Sequence, residues 1–423
     1  MEQLVIGLFL VLFTLEFIVE SVLNELNLGY VRAHRPAGNI PDFIAAKMTA
    51  EDYNKSIQYT LAKGNFQRYS EVYGRVVTLV VLFGGLLPFC DRAANSLAGA
   101  PPALPYANGI IFCFGVGLIF SLAGLPVDLY ATFGLEARFG FNKTTWRLYL
   151  SDKLKGILVG VIVGAPFLMV IFWLMDNPGP YWWLWAFLFI SGFQFVMIIV
   201  YPVLIAPWFN KFEPLKAGEF RDRILALAEK VGFKTRGIFS MDGSKRSGHS
   251  NAYFTGIGKA KRIVLFDTLL EQMTIEQGLA VLAHEMGHFK MKHIRRMLVV
   301  QLVLLLIGLY LLSLLLEYRP LYTAFGLNSS SHAALVLFSL ISGPATFYLT
   351  PLMNRLSRKH EYEADRFAAL TLGDGKAMEE ALINLTVKNL SNLTPHPWYS
   401  AYHYSHPTTA ERIAALRKVQ HGL

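Results

Sequence analysis

TIEQGLAVLAHEMGHFKMKHIRRMLVVQLVLLLIGLYLLSLLL, residues 274–316, decides the fold, because two kinds of helix follow one another in it. Its first part opens on Thr274 with Gln277 three residues on, a pattern that resembles a capping box and starts a helix running through Ala280-Val281-Leu282-Ala283. Its second part, Met297–Leu316, is an apolar run of the roughly 20 residues that a bilayer core demands of a helix. A helix carrying polar, chemically active residues therefore leads into a membrane span.

Six more segments read as spans: Leu4–Leu23, Arg75–Cys90, Gly109–Leu129, Leu154–Met175, Trp182–Ile205 and Ala334–Met353. The second is short and carries Gly84-Gly85. Composition agrees, with 53% hydrophobic and only 16% charged residues. The net charge of +9 does not point to nucleic acid. Lys and Arg concentrate in alternate loops, such as Arg32, Arg35, Lys47, Lys55, Lys63 and Arg68 after the first span, and Arg138, Lys143, Arg147 and Lys153 after the third. The intervening loops are poor in them, which is the positive-inside pattern. It places the N-terminus outside and the 206–296 segment and the C-terminus in the cytoplasm. The N-terminus lacks the basic region of a signal peptide, so the first run reads as a retained span. Cys90 and Cys113 form no CxxC pair and suggest neither a disulfide framework nor a metal site.

Four regions result: residues 1–205 with five spans, 206–296 as a small α/β unit, 297–353 with two spans, and a helical 354–423. In the α/β unit, Arg221–Val231 has helical periodicity, and Asn251–Ile257 and Arg262–Phe266 are strand-like around a turn at Gly258-Lys259-Ala260-Lys261.

His284-Glu285-Met286-Gly287-His288 is H-E-x-x-H inside the capped helix. Residues four apart share a helical face, so both imidazoles reach one ion at about 2.0–2.1 Å. Glu285, about 100° round the helix, faces a metal-bound water as a general base rather than joining as a ligand. Gly287 leaves room for a substrate backbone, or is merely permissive. A third ligand has to come from elsewhere. Glu361 and Asp365, four apart after the last span, form a carboxylate pair in which one could ligate and the other accept a hydrogen bond from an imidazole. Surface helices carry such acids for no such reason.

H-E-x-G-H followed by Ser357-Arg358-Lys359-His360-Glu361-Tyr362-Glu363-Ala364-Asp365 resembles the signature of the CAAX prenyl protease 1 family. The resemblance continues through Thr132–Asn142, Ser250-Asn251-Ala252-Tyr253-Phe254 and Ser405-His406-Pro407-Thr408, covering almost the whole chain. It implies one Zn²⁺ per chain, Glu361 as third ligand, and seven helices forming a barrel around a water-filled chamber. The implied activity is a membrane zinc metalloendopeptidase. Its partners would be the lipid bilayer and a peptide or protein substrate, prenylated or otherwise membrane-associated, with no nucleic acid. The C-terminal Gln420-His421-Gly422-Leu423 has no dilysine signal, and the outer loop between the last two spans is short. Both features suggest a bacterial cell membrane rather than endoplasmic reticulum.

An oxyanion needs a donor besides the metal. His406 is the first candidate, although a His-Pro is in isolation more often a turn, and Asn251 is the second. The Asn251-Ala252-Tyr253 strand offers an edge for an extended substrate, or is an ordinary hairpin. Arg412 could bind a substrate carboxylate or pair with a nearby acid. Glu16 and Glu20 in the first span face a hydrated interior, or a hydrogen-bonding neighbour. His293, His360 and His403 read as structural. A same-clan heat-shock protease, a multi-pass transporter and a non-enzymatic zinc-binding membrane protein are the competing readings. Chelator-sensitive peptide cleavage separates the last two from a protease.

Overall fold

The computed structural model describes residues 1–34, 40–99, 104–256 and 261–420. Arg35, the turn residues Gly258-Lys259-Ala260 and the C-terminal His421-Gly422-Leu423, all used in the sequence reading, lie outside the described residues.

The chain is mainly helical. Its first half comprises α1 (Glu2–Ala33), α2 (Ala50–Phe83), α3 (Leu86–Ala98), α4 (Ala107–Leu129), α5 (Trp146–Asp176) and α6 (Trp182–Val200). A mixed segment follows: β1 (Phe212–Pro214), α7 (Glu219–Val231), β2 (Ile238–Met241), β3 (Ala252–Thr255), β4 (Arg262–Phe266) and α8 (Asp267–Gln272). Then come α9 (Ile275–Lys290), α10 (His293–Leu315), α11 (Arg319–Thr323), α12 (Ser331–Phe347) and α13 (Thr350–Leu372). The chain ends in α14 (Lys376–Lys388), α15 (Pro397–His403) and α16 (Thr409–Gln420).

Five helical stretches are long and apolar enough to cross a bilayer: Glu2–Ala33, Ala107–Glu136, Trp146–Asp176, Gly179–Trp208 and His293–Leu315. Their apolar side chains, such as Leu8, Ile162, Leu188 and Val303, stay exposed on the protein surface. Surface of that extent is stable only against lipid. Two further spans are bent pairs, α2 with α3 at 58° and α12 with α13 at 63°. Counting each bent pair as one span gives seven, the number the sequence reading expects.

The first break has a local cause. Gly85 has φ +76°, and a Cβ on Gly84 would run into the Val80 carbonyl oxygen. Neither position accepts an ordinary helical side chain. The second lies just after Pro344, with Pro351 in the first turn of α13. Helix α2 also starts at Ala50, well before the expected span at Arg75. At 1.5 Å per residue its 34 residues run roughly 50 Å, more than a hydrocarbon core needs. Its extramembrane end joins the soluble core.

That core is built around a four-stranded sheet of order β1-β2-β4-β3. β2 and β4 are parallel, and β1 and β3 flank them antiparallel. The sequence reading missed β1 and β2, two short strands with little alternation of their own. Ile224, Ile263, Leu265, Leu282, Met286, Ala368 and Ile413 pack there with Val31, Tyr53 and Ile57 from α1 and α2. A separate core, with Phe112, Phe172, Tyr322 and Leu337, binds the membrane helices together.

The start of α9 has both halves of the capping box, with Thr274 accepting from the Gln277 N–H and the Gln277 side chain returning to the Thr274 N–H. Thr274→Ala should lower stability by about 1 kcal/mol, read as a lower midpoint of unfolding in detergent. An unchanged midpoint would show that packing alone sets this helix start.

Candidate metal centre

Helices α9 and α13 cross where Gly287 meets Ala364. A Cβ on Gly287 would stand 3.1 Å from the Ala364 Cα and 3.1 Å from Phe367 Cδ1. The space that the sequence reading reserved for a substrate backbone is therefore filled by α13. The glycine permits a helix crossing, and that crossing brings Glu361 to His284 and His288.

Three donor atoms converge there. His284 Nε2 and His288 Nε2 are 3.2 Å apart. Glu361 Oε1 is 3.2 Å from His288 Nε2, and its Oε2 is 3.4 Å from His284 Nε2. Tetrahedral coordination at 2.0–2.1 Å places neighbouring donors roughly 3.3 Å apart. The two imidazole nitrogens stand at that spacing, and each has one of the two Glu361 oxygens at a similar distance. Glu361 Oε2 is buried with no hydrogen-bond partner, the 3.4 Å contact failing hydrogen-bond geometry. An orphaned carboxylate oxygen between two imidazoles facing each other fits a cation. Among the described residues, no other such group of three side chains comes together.

The far nitrogens of both imidazoles are tied down. His284 Nδ1 lies 2.8 Å from Asp365 Oδ1. His288 Nδ1 lies 3.1 Å from His293 Nδ1, and His293 Nε2 reaches Glu363 Oε2 at 2.8 Å. One proton assignment satisfies the chain: His288 donates from Nδ1, His293 accepts there and donates from Nε2 to Glu363. Both ligand rings then turn a bare Nε2 to the centre. The sequence reading left His293 as structural. It reaches back because the chain reverses between α9 and α10 at Lys292, whose φ is +61°, a reversal that periodicity does not announce. His360 stacks on His293 at 4.1 Å.

Arg412 grips Asp365 through two bonds, Nε to Oδ2 at 2.7 Å and Nη2 to Oδ1 at 2.6 Å. Its Nη1 is 3.6 Å from Glu361 Oε2. Of the two readings of Arg412, these contacts match pairing with a nearby acid rather than binding a substrate carboxylate. His406 Nε2 lies 3.4 Å from Glu361 Oε1, on a side chain that stays solvent-accessible. Surrounding protein nonetheless holds its pKa below the usual value. Ser405 Oγ lies 3.0 Å from its Nδ1, and the tautomer in which the hydroxyl donates leaves the ring proton on Nε2.

Glu285 is half-buried and makes no hydrogen bond or ion pair with the protein. Burial raises its pKa, while the two neighbouring histidines pull it down by less. Asn251 precedes β3, and its Oδ1 accepts from the Ala252 N–H at 2.8 Å. β3 pairs with β4 alone and is a true edge. Since Phe266 N–H donates to Asn251 C=O, the backbone groups turned to the free edge are those of Ala252, whose N–H the Asn251 side chain takes, and of Phe254. Tyr253 has its backbone turned toward β4. No contact joins Asn251, Ala252 or Tyr253 to the three donors.

A largely buried His-His-Glu cluster beside an unpartnered carboxylate, in a chain of membrane helices, suits a membrane metalloprotease. Comparison with known proteins gives the family. Residues 30–211 match the family described as CAAX prenyl protease N-terminal, five membrane helices, and residues 214–420 match Peptidase family M48. The CAAX prenyl protease 1 homolog of Oryza sativa subsp. japonica is 36% identical, covering 94% of this chain and 97% of its own. The CAAX prenyl protease 1 of Saccharomyces cerevisiae is 38% identical, covering 89% and 88%. The crystal structure of S. mikatae Ste24p superposes with a TM-score of 0.90 at 33% identity, covering 98% of each chain. The chain belongs to the CAAX prenyl protease 1 family. The relatives quoted are eukaryotic and lend no support to a bacterial origin.

Two predictions follow from this geometry. Gly287→Ala should force α9 and α13 apart, costing about 1–3 kcal/mol, and should weaken metal retention in dialysis against a chelator. Unchanged retention would separate the crossing from the donor set. The second concerns protons. Burial disfavours a charged His284, but Asp365 and Glu361 outweigh it and push its pKa up to about 9. Without metal, this proton adds stability that is fully present below the unfolded value of about 6.5 and lost as pH rises through about 9. A divalent ion added at pH 7.5 should displace about one proton, measurable by titration calorimetry in buffers of different ionisation enthalpy. No buffer dependence would contradict it.

Proposed function

We propose that this membrane protease is a zinc metalloendopeptidase in which His284, His288 and Glu361 hold one Zn²⁺ and Glu285 is the general base. One observation carries the reading: two imidazole nitrogens and the Glu361 carboxylate converge within reach of one ion, next to a carboxylate with no other partner. The chemistry supplied by bound zinc is Lewis acidity, which acidifies water and polarises a carbonyl oxygen.

Glu285 takes the proton of the attacking water and returns it to the leaving amine. Its raised pKa strengthens it as a base while keeping proton return feasible. His406, neutral with its proton on Nε2, donates to the developing oxyanion, with Asn251 as the second candidate. Asp365, held by Arg412, fixes the His284 ring. The free edge of β3, from Asn251 through Ala252 and Tyr253, aligns an extended substrate, with the Ala252 and Phe254 backbone as its bonding groups.

The substrate proposed is a peptide or protein at the membrane, prenylated as the relatives' name states for theirs. The division into 1–205, 206–296, 297–353 and 354–423, and a seven-helix barrel around a chamber, belong to the same proposal. Two separate apolar cores and full-length similarity to S. mikatae Ste24p support it. The alternating basic loops favour a cytoplasmic catalytic unit and C-terminus. A heat-shock protease of the clan is disfavoured because similarity extends through the N-terminal five-helix region. A transporter or inactive zinc scaffold does not account for an unpartnered Glu285.

Glu285→Gln should retain stoichiometric zinc and lose hydrolysis by about 10²–10⁴-fold. Metal analysis with a quenched peptide assay reads both. Zinc-loaded Glu285→Gln protein that still cleaves at the wild-type rate would remove Glu285 from the mechanism.

A further inference from the structure

One polar stripe of the first span has no part in the proposed chemistry. Glu20, Asn24 and Asn27 stand at i, i+4 and i+7 on α1, share one face and are buried. Asn24 donates to the Gly64 carbonyl of α2 at 3.1 Å. Asn27 accepts from the His396 N–H at 3.1 Å and from the Asn392 side chain at 3.4 Å. Glu20 accepts from Gln67 at 3.2 Å through Oε1. Its Oε2 faces His403 Nε2 at 3.3 Å, and among the described residues neither of these two buried atoms makes a hydrogen bond. Arg75, two turns beyond Gln67 on α2, is paired with Glu16 at 3.4 Å. A carboxylate buried in a membrane helix is costly unless a partner offsets it, and the basic group at ion-pair distance from Glu20 is His403.

His403 is the last residue of α15. The stripe therefore holds this segment at both ends, Asn27 at its start and Glu20 at its finish. From His403 the chain runs only through Tyr404 and Ser405 to His406, whose Nε2 lies 3.4 Å from Glu361 Oε1. Helix α13 holds the same stretch by its backbone, with Asn354 on the Tyr402 carbonyl and Arg358 on the Tyr404 carbonyl. Two such points leave a rotation about the line joining them. The His403 side chain, between them in sequence, removes it by meeting α1.

We propose that Glu20 is a positioning residue: by holding His403, it sets the aim of His406 at the metal centre. The inference rests on the proposed oxyanion role of His406 and deepens it, making a carboxylate of the first span part of how that donor is placed. Glu20 acts through His406 and not on the substrate.

The test uses zinc-loaded full-length protein in detergent and a quenched peptide. His406→Ala should lower kcat about 10²-fold and Glu20→Ala about tenfold, with KM and zinc content kept. Glu20→Gln retains an oxygen acceptor at the same reach and should recover most of the loss. A purely structural role is separated by the double variant. In His406→Ala protein, Glu20→Ala should cost nothing further, because the donor it aims is gone. A second tenfold loss there, or wild-type kcat in Glu20→Ala, overturns the inference and leaves the His406 reading standing. Should Glu20→Ala not fold, His403→Ala cuts the same contact from the α15 end and must give the same loss, again absent from the His406→Ala background; full kcat in it overturns the inference. Unchanged kcat in His406→Ala itself rejects the oxyanion role and this inference together.

Discussion

The close crossing of α9 and α13 at Gly287 and Ala364 is the constraint on which the rest depends. The two imidazoles come from one helix and the carboxylate from another 73 residues further along (288 to 361), with membrane-spanning chain between. Donors at 3.2–3.4 Å spacing tolerate little error in that crossing. A glycine facing an alanine is among the smallest pairings available, and it lets the two helix backbones approach closely.

The membrane helices hold this crossing in place. Only two residues separate α9 from α10, and α13 follows α12 through the 63° bend. His293 and Glu363, one from each, are bonded at 2.8 Å near the membrane. The same pair orients His288. The attachment of the catalytic helices to the bilayer and the aiming of a ligand ring are therefore one contact. The segment carrying His406 is pinned in a similar way: Asn354 donates to the Tyr402 carbonyl and Arg358 to the Tyr404 carbonyl. Arg358 stands in the S-R-x-x-E signature, and its position explains why an arginine is useful one turn before Glu361.

Periodic features were readable from sequence. The apolar runs, the capping box and the i, i+4 histidines each follow from helix geometry alone. What escaped were features fixed by partners distant in the chain. The role of Gly287 depends on α13, which no local pattern near residue 287 can reveal. His293 lies five residues from His288, off its helical face, and meets it only through the left-handed turn at Lys292. Arg412 had two open readings, and its distance from Asp365 decides between them. β1 and β2 are short and draw their stability from β4. The bends at Gly84-Gly85 and after Pro344 were marked by residues that break helices, but the direction of a bend comes from packing.

Charge balance in the buried site explains why a divalent cation suits it. Glu285, Glu361 and Asp365 bring three negative charges into an environment that isolates them from water, and Arg412 answers one. Burying unbalanced carboxylates is strongly unfavourable. Without metal the site draws protons: His284 holds one up to about pH 9, and burial raises Glu285 toward accepting another. The His284 proton makes up one of the two missing charges. A divalent ion supplies the same two charges at once, returns His284 to the neutral ligand form and leaves Glu285 ionised. The ionised carboxylate is the form a general base requires. The electrostatic demand of the folded site and the protonation state required by the proposed mechanism are therefore met by the same ion.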